Sequence, residues 1–102
     1  MVRKYSAKAD RNQPSIVKEY RRLGATVAHT HMVGGGFVDI VVGYMGINSL
    51  VEIKDPEQPP SKRRLTTDEQ IWHDEWAGTV RIIETFEDVA FHLLEIEGSG
   101  TG

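Results

Sequence analysis

Two apolar segments rich in valine and isoleucine lie in the middle of the chain. They cover residues 34–43 and 50–54, the first opens with three glycines, and a short link containing Met45-Gly46 joins them. This pattern is typical of a β-hairpin. With Met45-Gly46 as a two-residue turn, Tyr44 pairs with Ile47, and this register fixes every other pair along the two strands.

Patterns typical of helices and strands flank the hairpin on both sides. Asn12-Gln13-Pro14 favours a helix start, because proline is tolerated in the first turn. Thr66 and Thr67 each stand three positions before a glutamate or glutamine, which is the capping-box pattern. Three prolines between residues 55 and 66 predict a loop without regular structure. The predicted elements are a helix from residue 12, a strand over 25–30, the hairpin, a helix ending near Ala77, a strand over 79–83 and a helix after Thr85.

This order, α-β-β-β-α-β-α, predicts an α/β (α+β) fold in which helices flank a mixed four-stranded sheet. The 102 residues suffice for one domain with a modest core. We expect the folded domain to cover residues 12–96. Residues 1–11 are expected to form a flexible, basic N-terminus, and residues 97–102 a flexible tail.

Composition excludes some kinds of protein and leaves others open. The absence of cysteine excludes a disulfide framework and a cysteine-based zinc site. The apolar runs are too short to span a membrane and no signal-peptide pattern is present, so we expect a cytoplasmic protein without a membrane partner. The net charge of −3 does not favour nucleic-acid binding by itself, but basic residues cluster near the N-terminus and at Lys62-Arg63-Arg64.

Charged residues inside the hairpin are the first indication of chemistry. The predicted register puts Asp39 opposite Glu52, and Lys54 on the same side of the sheet as Glu52. Like charges that face each other across strands are destabilising. A divalent cation between the two carboxylates would remove that conflict, since Mg²⁺ is bound by one or two carboxylates together with water and phosphate oxygens. The alternative is an exposed hairpin face with an ordinary ion pair.

At these residues the chain resembles the PD-(D/E)xK, or restriction-endonuclease-like, nucleases. The resemblance consists of Asp39 followed by Glu52-Ile53-Lys54, and it extends to the glycines at 34–36, the segment 65–70 and the tryptophans that follow. Within that superfamily the chain is most similar to the small stand-alone VRR-NUC proteins of phages, relatives of archaeal-type Holliday-junction resolvases. The resemblance covers roughly residues 11–95 and implies the αβββαβ core of the superfamily.

The resemblance implies metal-assisted hydrolysis of phosphodiester bonds in DNA. Asp39, Glu52 and the backbone carbonyl of Ile53 would hold Mg²⁺ or Mn²⁺. Lys54 would orient the attacking water and stabilise the negative charge that develops on the phosphate. Gln70 is similar to a glutamine that borders the active site of related resolvases, and its alternative role is a plain helix cap.

Gln13 departs from the family pattern. Relatives commonly carry an acidic residue early in the first helix, reaching towards the metal, and Gln13 occupies that position here. We expect Gln13 to contribute at most to the metal shell. Because Gln13 stands where relatives carry an acid, the sequence does not decide whether a second metal ion binds or whether the site is fully active.

Other residues suggest contacts with DNA. Lys62, Arg63 and Arg64 are predicted to contact phosphates, although such charges often mark only a solvated loop. Gly35 and Gly36 permit close approach of a backbone, either to admit DNA beside Asp39 or to form a tight turn before the strand.

Two pairs of aromatic rings have more than one interpretation. His29 and His31, two positions apart on a predicted strand, would share a face and bind a metal or a phosphate, or would simply be packed or exposed histidines. Trp72 and Trp76 are interpreted as core or dimer-interface residues rather than as platforms for base stacking.

The predicted function is that of a divalent-metal-dependent DNA endonuclease. The resemblance implies a preference for branched DNA such as four-way junctions, action as a homodimer in phage-type replication, repair or recombination, and a setting inside a bacterial host cell. Three alternatives stay open: a nuclease without junction selectivity, a non-catalytic nucleic-acid-binding module that keeps the fold, and a metal-binding structural protein built around His29 and His31.

Overall fold

A computed structural model describes residues 11–99, which form four helices and four strands. In chain order these are α1 (Gln13–Arg22), β1 (Thr26–His29), β2 (Ile40–Tyr44), β3 (Ile47–Ile53), α2 (Pro60–Arg63), α3 (Thr67–Glu75), β4 (Val80–Ile83) and α4 (Phe86–Ser99). The flexible N-terminus predicted for residues 1–11 lies almost entirely outside the described residues, as does the end of the predicted tail, residues 100–102.

The strands form one mixed sheet in the order β1-β2-β3-β4. β1, β2 and β3 are antiparallel neighbours, and β4 pairs in parallel with β3 after the connection through α2 and α3. A parallel pair requires such a crossover, because the chain must return to the end of the sheet at which β3 begins before β4 can run in the same direction. The predicted fold class, a mixed four-stranded sheet flanked by helices, is therefore confirmed.

The hairpin register agrees with the sequence prediction. Met45 and Gly46 both have positive φ, at 49° and 81°, as a two-residue primed turn requires. Tyr44 pairs with Ile47, and Ile40 pairs with Val51 at the other end of the ladder. The turn therefore fixes the register of the two strands, and with it the face of the sheet on which each of their side chains lies.

One detail of the hairpin prediction is wrong. Asp39 was expected inside the strand, but β2 begins at Ile40, and Asp39 forms a bend just before it. The Asp39 N–H donates to the Val51 carbonyl at 3.1 Å, so the regular pairing does not continue to Glu52. The Asp39 carboxylate bonds to the backbone of β3 instead.

The core lies on one face of the sheet, beneath α1 and α4. Ile40, Val42, Val51 and Ile53 point to this face and are fully buried, together with side chains of both helices. On the opposite face Ile82 is half exposed. The sheet is therefore covered fully on one face, and the other face, which carries Glu52 beside Ile82, is covered only in part.

A buried chain of three polar side chains crosses this core. The Tyr20 hydroxyl of α1 lies 2.7 Å from His92 Nδ1 of α4, and His92 Nε2 lies 2.8 Å from Ser49 Oγ of β3. A neutral imidazole has one donor and one acceptor, which suits two hydroxyl partners. Burial, and secondarily the charge of Arg81, lowers the pKa of His92 from 6.5 to about 4.

Three predicted boundaries differ from the structure. The proline-rich loop, predicted to lack regular structure, contains the single-turn helix α2, because a proline suits the first helical position. α3 ends at Glu75 rather than near Ala77. α4 extends to Ser99, past the predicted domain end at 96, and the Tyr44 hydroxyl donates to Glu97 Oε2 at 2.6 Å. Among residues 11–99, no helix has the length and apolarity needed to cross a membrane.

Protonation of His92 is expected to make stability depend on pH. Below pH 6.5 the unfolded chain binds a proton that the folded form resists down to about pH 4. The contribution of His92 to the free energy of unfolding should therefore be fully present above pH 6.5. It should decrease as the pH falls towards 4, by at most about 1.4 kcal/mol per pH unit. Urea denaturation at several pH values should show that the stability of His92→Gln changes less between pH 6.5 and pH 4 than the stability of wild type does. An equally large change in His92→Gln would contradict this prediction.

Candidate active site

A cavity of about 430 Å³ opens beside the start of β2 and the end of β3, next to the first turn of α3. It brings together acidic, basic and glycine residues from four separate parts of the chain. The residues that line it and bear on its chemistry are His31, Gly34, Gly35, Gly36, Asp39, Glu52, Lys54, Lys62, Arg64 and Glu69.

The Asp39 carboxylate is held by the backbone of β3. Its Oδ2 accepts a hydrogen bond from the Ile53 N–H at 2.8 Å. In a strand the N–H and the C=O of one residue point to the same side. The carbonyl of Ile53 therefore also faces the Asp39 side, as expected if both belong to one site.

The Glu52 carboxylate is almost completely buried. Only 2% of the residue is exposed, and its Oε1 atom has no hydrogen-bond partner within residues 11–99. Burial, then the nearby charges of Asp39 and Glu69 and a hydrogen bond between the Glu52 and Glu69 side chains, raise the pKa of Glu52 from its ordinary value of 4.5 to about 10. Lys54, with its Nζ 3.5 Å from Glu52 Oε2, opposes this shift only partly. The site thus buries a carboxylate at an energetic cost.

Lys54 is fixed by a residue that sequence reasoning did not select. Its Nζ donates to Glu69 Oε1 at 2.9 Å, and only 6% of the lysine is exposed. Although burial raises the pKa of Glu69, hydrogen bonds from Lys54 and from the Thr66 N–H lower it below its ordinary value. The Lys54 amine therefore lies between the carboxyl groups of Glu52 and Glu69, and the ionised Glu69 is the closer of the two.

Glu69 reaches the pocket because of the way α3 begins. The Thr66 hydroxyl accepts from the Glu69 N–H, and Glu69 Oε1 accepts from the Thr66 N–H at 2.9 Å, which completes a capping box. Of the two overlapping capping boxes that the sequence predicts, the structure forms the one from Thr66 to Glu69. That pattern was the available signal for Glu69, because a capping glutamate points back over the first turn.

The glycine segment allows α3 to approach the pocket. Gly34, Gly35 and Gly36 all have positive φ, at 82°, 66° and 84°. At Gly36 a Cβ atom would lie 2.5 Å from the carbonyl oxygen of Asp68, so any other residue would displace the first turn of α3. Close approach of a backbone is thus confirmed, and that backbone belongs to α3. A contact of Gly35 or Gly36 with DNA stays a prediction.

The other predicted site residues are divided between this pocket and its surroundings. Lys62 and Arg64 line the cavity, and Arg63 is not among its lining residues. Gln70 is exposed, lies in an adjacent groove with Lys62 and Arg64, and donates from its side-chain amide to Asp74 at 2.8 Å. The structure therefore brings Glu69, and not Gln70, into contact with Lys54.

Gln13 lies outside this pocket. Its side-chain amide is buried and contacts His29 and His31 at the neighbouring edge of the sheet. β1 ends at His29, so the two histidines do not share one strand as predicted, although their rings still meet edge to face at 6.1 Å. Only His31 also borders the cavity with Asp39 and Glu52.

Trp72 of α3 and Trp76, which directly follows that helix, do not belong to the core. Trp72 and Trp76 stack with ring centroids 4.8 Å apart, and Phe37 meets Trp72 edge to face. α3 has no buried residue, and 43% of Trp76 is exposed. The core interpretation of these residues is therefore wrong, and the interface interpretation stays a prediction.

Comparison with known proteins adds no assignment. No family model, curated protein or solved structure matches this chain. Within the described part of the chain, no group of three or more histidine, cysteine, aspartate or glutamate side chains is arranged to hold a metal ion. Interpretation of function therefore depends on the geometry and electrostatics of the pocket.

Replacing Glu52 by glutamine is expected to stabilise the protein in the absence of metal. Because the folded form keeps a proton that the unfolded chain releases above pH 4.5, wild-type stability should fall as the pH rises above that value. Glu52→Gln lacks this dependence and should be more stable than wild type at pH 8, by roughly 1–3 kcal/mol. Urea denaturation in EDTA measures the difference.

The exposed variant Glu57→Gln is the matched control, since it makes the same substitution five residues away. Its stability in EDTA at pH 8 should be close to that of wild type, because the Glu57 side chain is exposed. A Glu52→Gln protein that is no more stable than wild type at any pH would show that the buried carboxylate carries no such cost.

Proposed function

We propose that this protein is a divalent-metal-dependent endonuclease of the PD-(D/E)xK type that hydrolyses phosphodiester bonds in DNA. The observation that carries the proposal is the meeting of Asp39, Glu52 and Lys54 in one cavity, with a buried Glu52 oxygen that lacks a protein partner. Selectivity for four-way junctions, action as a homodimer and a location in the cytoplasm of a bacterial host are parts of the proposal that come from the resemblance.

The donor set fits a hard divalent cation. Asp39 and Glu52 offer carboxylate oxygens, and the Ile53 carbonyl faces the Asp39 side. Mg²⁺ typically takes one or two carboxylates and keeps water and substrate oxygens as its remaining ligands, so a site of three protein ligands suffices. Glu52 Oε1 is available for this role, and a cation there would offset the cost of burying the carboxylate. When bound, Mg²⁺ or Mn²⁺ would supply Lewis-acid chemistry to phosphodiester hydrolysis.

Lys54 supplies the positive charge that the reaction needs. Its ammonium lies between the carboxylates of Glu52 and Glu69, at 3.5 Å and 2.9 Å, and is almost buried. A buried cation with a fixed position stabilises negative charge that develops on the phosphate, and it can hold a water molecule by hydrogen bonding. Glu69 is a positioning residue, because it holds the Lys54 ammonium in place and does not itself contact the substrate.

Basic residues surround the opening of the cavity. Lys62 of α2 and Arg64, which follows it, line the cavity from one side, and His31 lines it from the other. Phosphate contacts of this kind fix the position of a nucleic acid without reading its sequence. The predicted role of Lys62 and Arg64 in DNA binding is consistent with this placement, and Arg63 has no comparable support.

A second candidate function is a nucleic-acid-binding module without catalytic activity. The observation in its favour is the position of Gln13, which faces His29 and His31 instead of the carboxylates. The site therefore lacks the additional acidic group that relatives direct towards the metal. The two candidates differ in one measurable property, which is metal-dependent cleavage.

Labelled four-way junction, duplex and single-stranded DNA distinguish these functions. With Mg²⁺ the protein should cut the junction fastest, and EDTA should abolish cleavage. Lys54→Ala should retain metal binding but lose cleavage by about a hundredfold or more, since it removes the cation that stabilises the developing charge. The variant Arg22→Ala, whose exposed side chain pairs with Glu19 away from the cavity, should cleave as wild type does.

Each other result of this assay has a definite meaning. Cleavage of all three substrates at equal rates would remove the junction preference but keep the nuclease. Near-wild-type cleavage by Lys54→Ala would remove Lys54 from the mechanism. No metal-dependent cleavage of any substrate would overturn the proposal in favour of the binding module.

Glu69→Ala is expected to lower kcat about tenfold with little change in KM, because Lys54 loses the carboxylate that fixes it. Glu69→Gln keeps an acceptor oxygen for Lys54 and should retain most of the activity. Thr66→Ala removes the capping hydroxyl but leaves the contact between Glu69 and Lys54, so it should lower stability more than kcat.

Gln70→Ala is the matched control for Glu69, because the two residues are adjacent on α3. Its cleavage rate should stay near that of wild type, since Gln70 contacts Asp74 and not the cavity. A larger loss in Gln70→Ala than in Glu69→Ala would restore the catalytic role that the sequence predicts for Gln70.

A further inference from the structure

A second cavity, of about 420 Å³, lies beside the catalytic pocket between α1 and the end of β1. Lys18 and Arg21 border it from α1, and His29 and His31 border it from the sheet. His31 also lines the pocket that contains Asp39, so the two cavities are neighbours across one side chain.

The Gln13 side-chain amide contacts both histidine rings at the edge of this cavity. Its side-chain nitrogen lies 3.4 Å from His29 Nδ1 and 3.5 Å from His31 Nδ1. An amide group has two hydrogens, and if it donates one to each ring, both Nδ1 atoms act as acceptors. In the neutral form, each imidazole must carry its hydrogen on Nε2. The two rings therefore direct N–H donors away from Gln13, and both lie in the lining of the cavity.

The remaining lining of the cavity is basic or apolar. Pro14, Lys18 and Arg21 follow one another at i, i+4 and i+7 and so lie along one side of α1. Lys18 and Arg21 are exposed cations, and none of the described residues that line the cavity is acidic. Pro14 and Val17 add an apolar surface. Donors and cations beside an apolar wall suit a phosphate with its attached sugar or base, and they oppose the binding of a metal cation.

We infer that this cavity binds one nucleotide of the DNA substrate next to the scissile phosphate. The Nε2–H groups of His29 and His31, with Lys18 and Arg21, contact the phosphate, and the apolar wall receives the sugar or base. The inference depends on the proposed function for the identity of the polymer. It also gives Gln13 a role, because a glutamate there would only accept hydrogen bonds and would place a negative charge behind the rings.

Nitrogen NMR of the histidine rings tests the arrangement without any need for cleavage. In the full chain, His29 and His31 should both show the Nε2–H form, and Gln13→Glu should shift the hydrogen to Nδ1 or charge the rings. Titration in EDTA with a single-stranded oligonucleotide should change both ring signals, a nucleoside monophosphate should do so more weakly, and inorganic phosphate most weakly. An oligonucleotide that binds without changing either ring signal would overturn the inference, as would equal responses to all three ligands.

Affinity measurements on neighbouring arginines give a second, matched test. Arg21→Gln should weaken oligonucleotide binding about three- to tenfold and reduce the slope of log K against log salt by about 0.7, the value for one phosphate contact on a single strand. Arg22→Gln makes the same charge change one residue away, outside the cavity, and should leave the slope unchanged. Equal effects of the two substitutions would show only a general electrostatic attraction and would overturn the inference.

Failure of this inference is distinguishable from failure of the proposed function. DNA binding that changes the ring signals but is never followed by metal-dependent cleavage would keep the nucleotide site and remove the nuclease. Cleavage with ring signals that do not respond to DNA would keep the nuclease and remove the nucleotide site.

Discussion

The burial of the Glu52 carboxylate is the constraint on which the rest of the site depends. A carboxylate with 2% exposure and an oxygen that lacks a partner among the described residues would not persist in a core selected for stability alone. It is held there because β3 is a central strand, fixed by β2 on one side and β4 on the other. Stability lost at Glu52 is thus offset by the apolar packing of the same strand on its opposite face, where Val51 and Ile53 are fully buried.

Two features of the chain bring the second half of the site to this carboxylate. The Asp39 side chain accepts from the Ile53 N–H, which ties the start of β2 to the end of β3. Gly36 then allows the first turn of α3 to approach so closely that Glu69 reaches Lys54. The glycine segment and the capping box are therefore parts of one arrangement, since each places the same helix end against the same strand end.

The sequence was sufficient for the fold and for part of the site. Met45-Gly46 selects a primed turn, and that turn sets the register, so Glu52 and Lys54 were assigned to the same side of the sheet correctly. The position of Asp39 was not predictable, because its carboxylate replaces a regular backbone contact and the strand pattern does not show this. Gln70 was selected over Glu69 by resemblance, yet successive helical residues differ by about 100° in direction. The contact of Gln13 with two histidines joins α1 to the edge of the sheet, and periodicity within one element contains no such information.

The absence of buried residues from α3 has a consequence for how the site opens. A helix that contributes nothing to the core can separate from the domain at much less cost than global unfolding, and such elements open as local units. When α3 separates, the Lys54 ammonium loses Glu69 and becomes accessible, while the sheet beneath α1 and α4 stays intact. In the proposed nuclease, the folding equilibrium of these nine residues would therefore control access to Lys54.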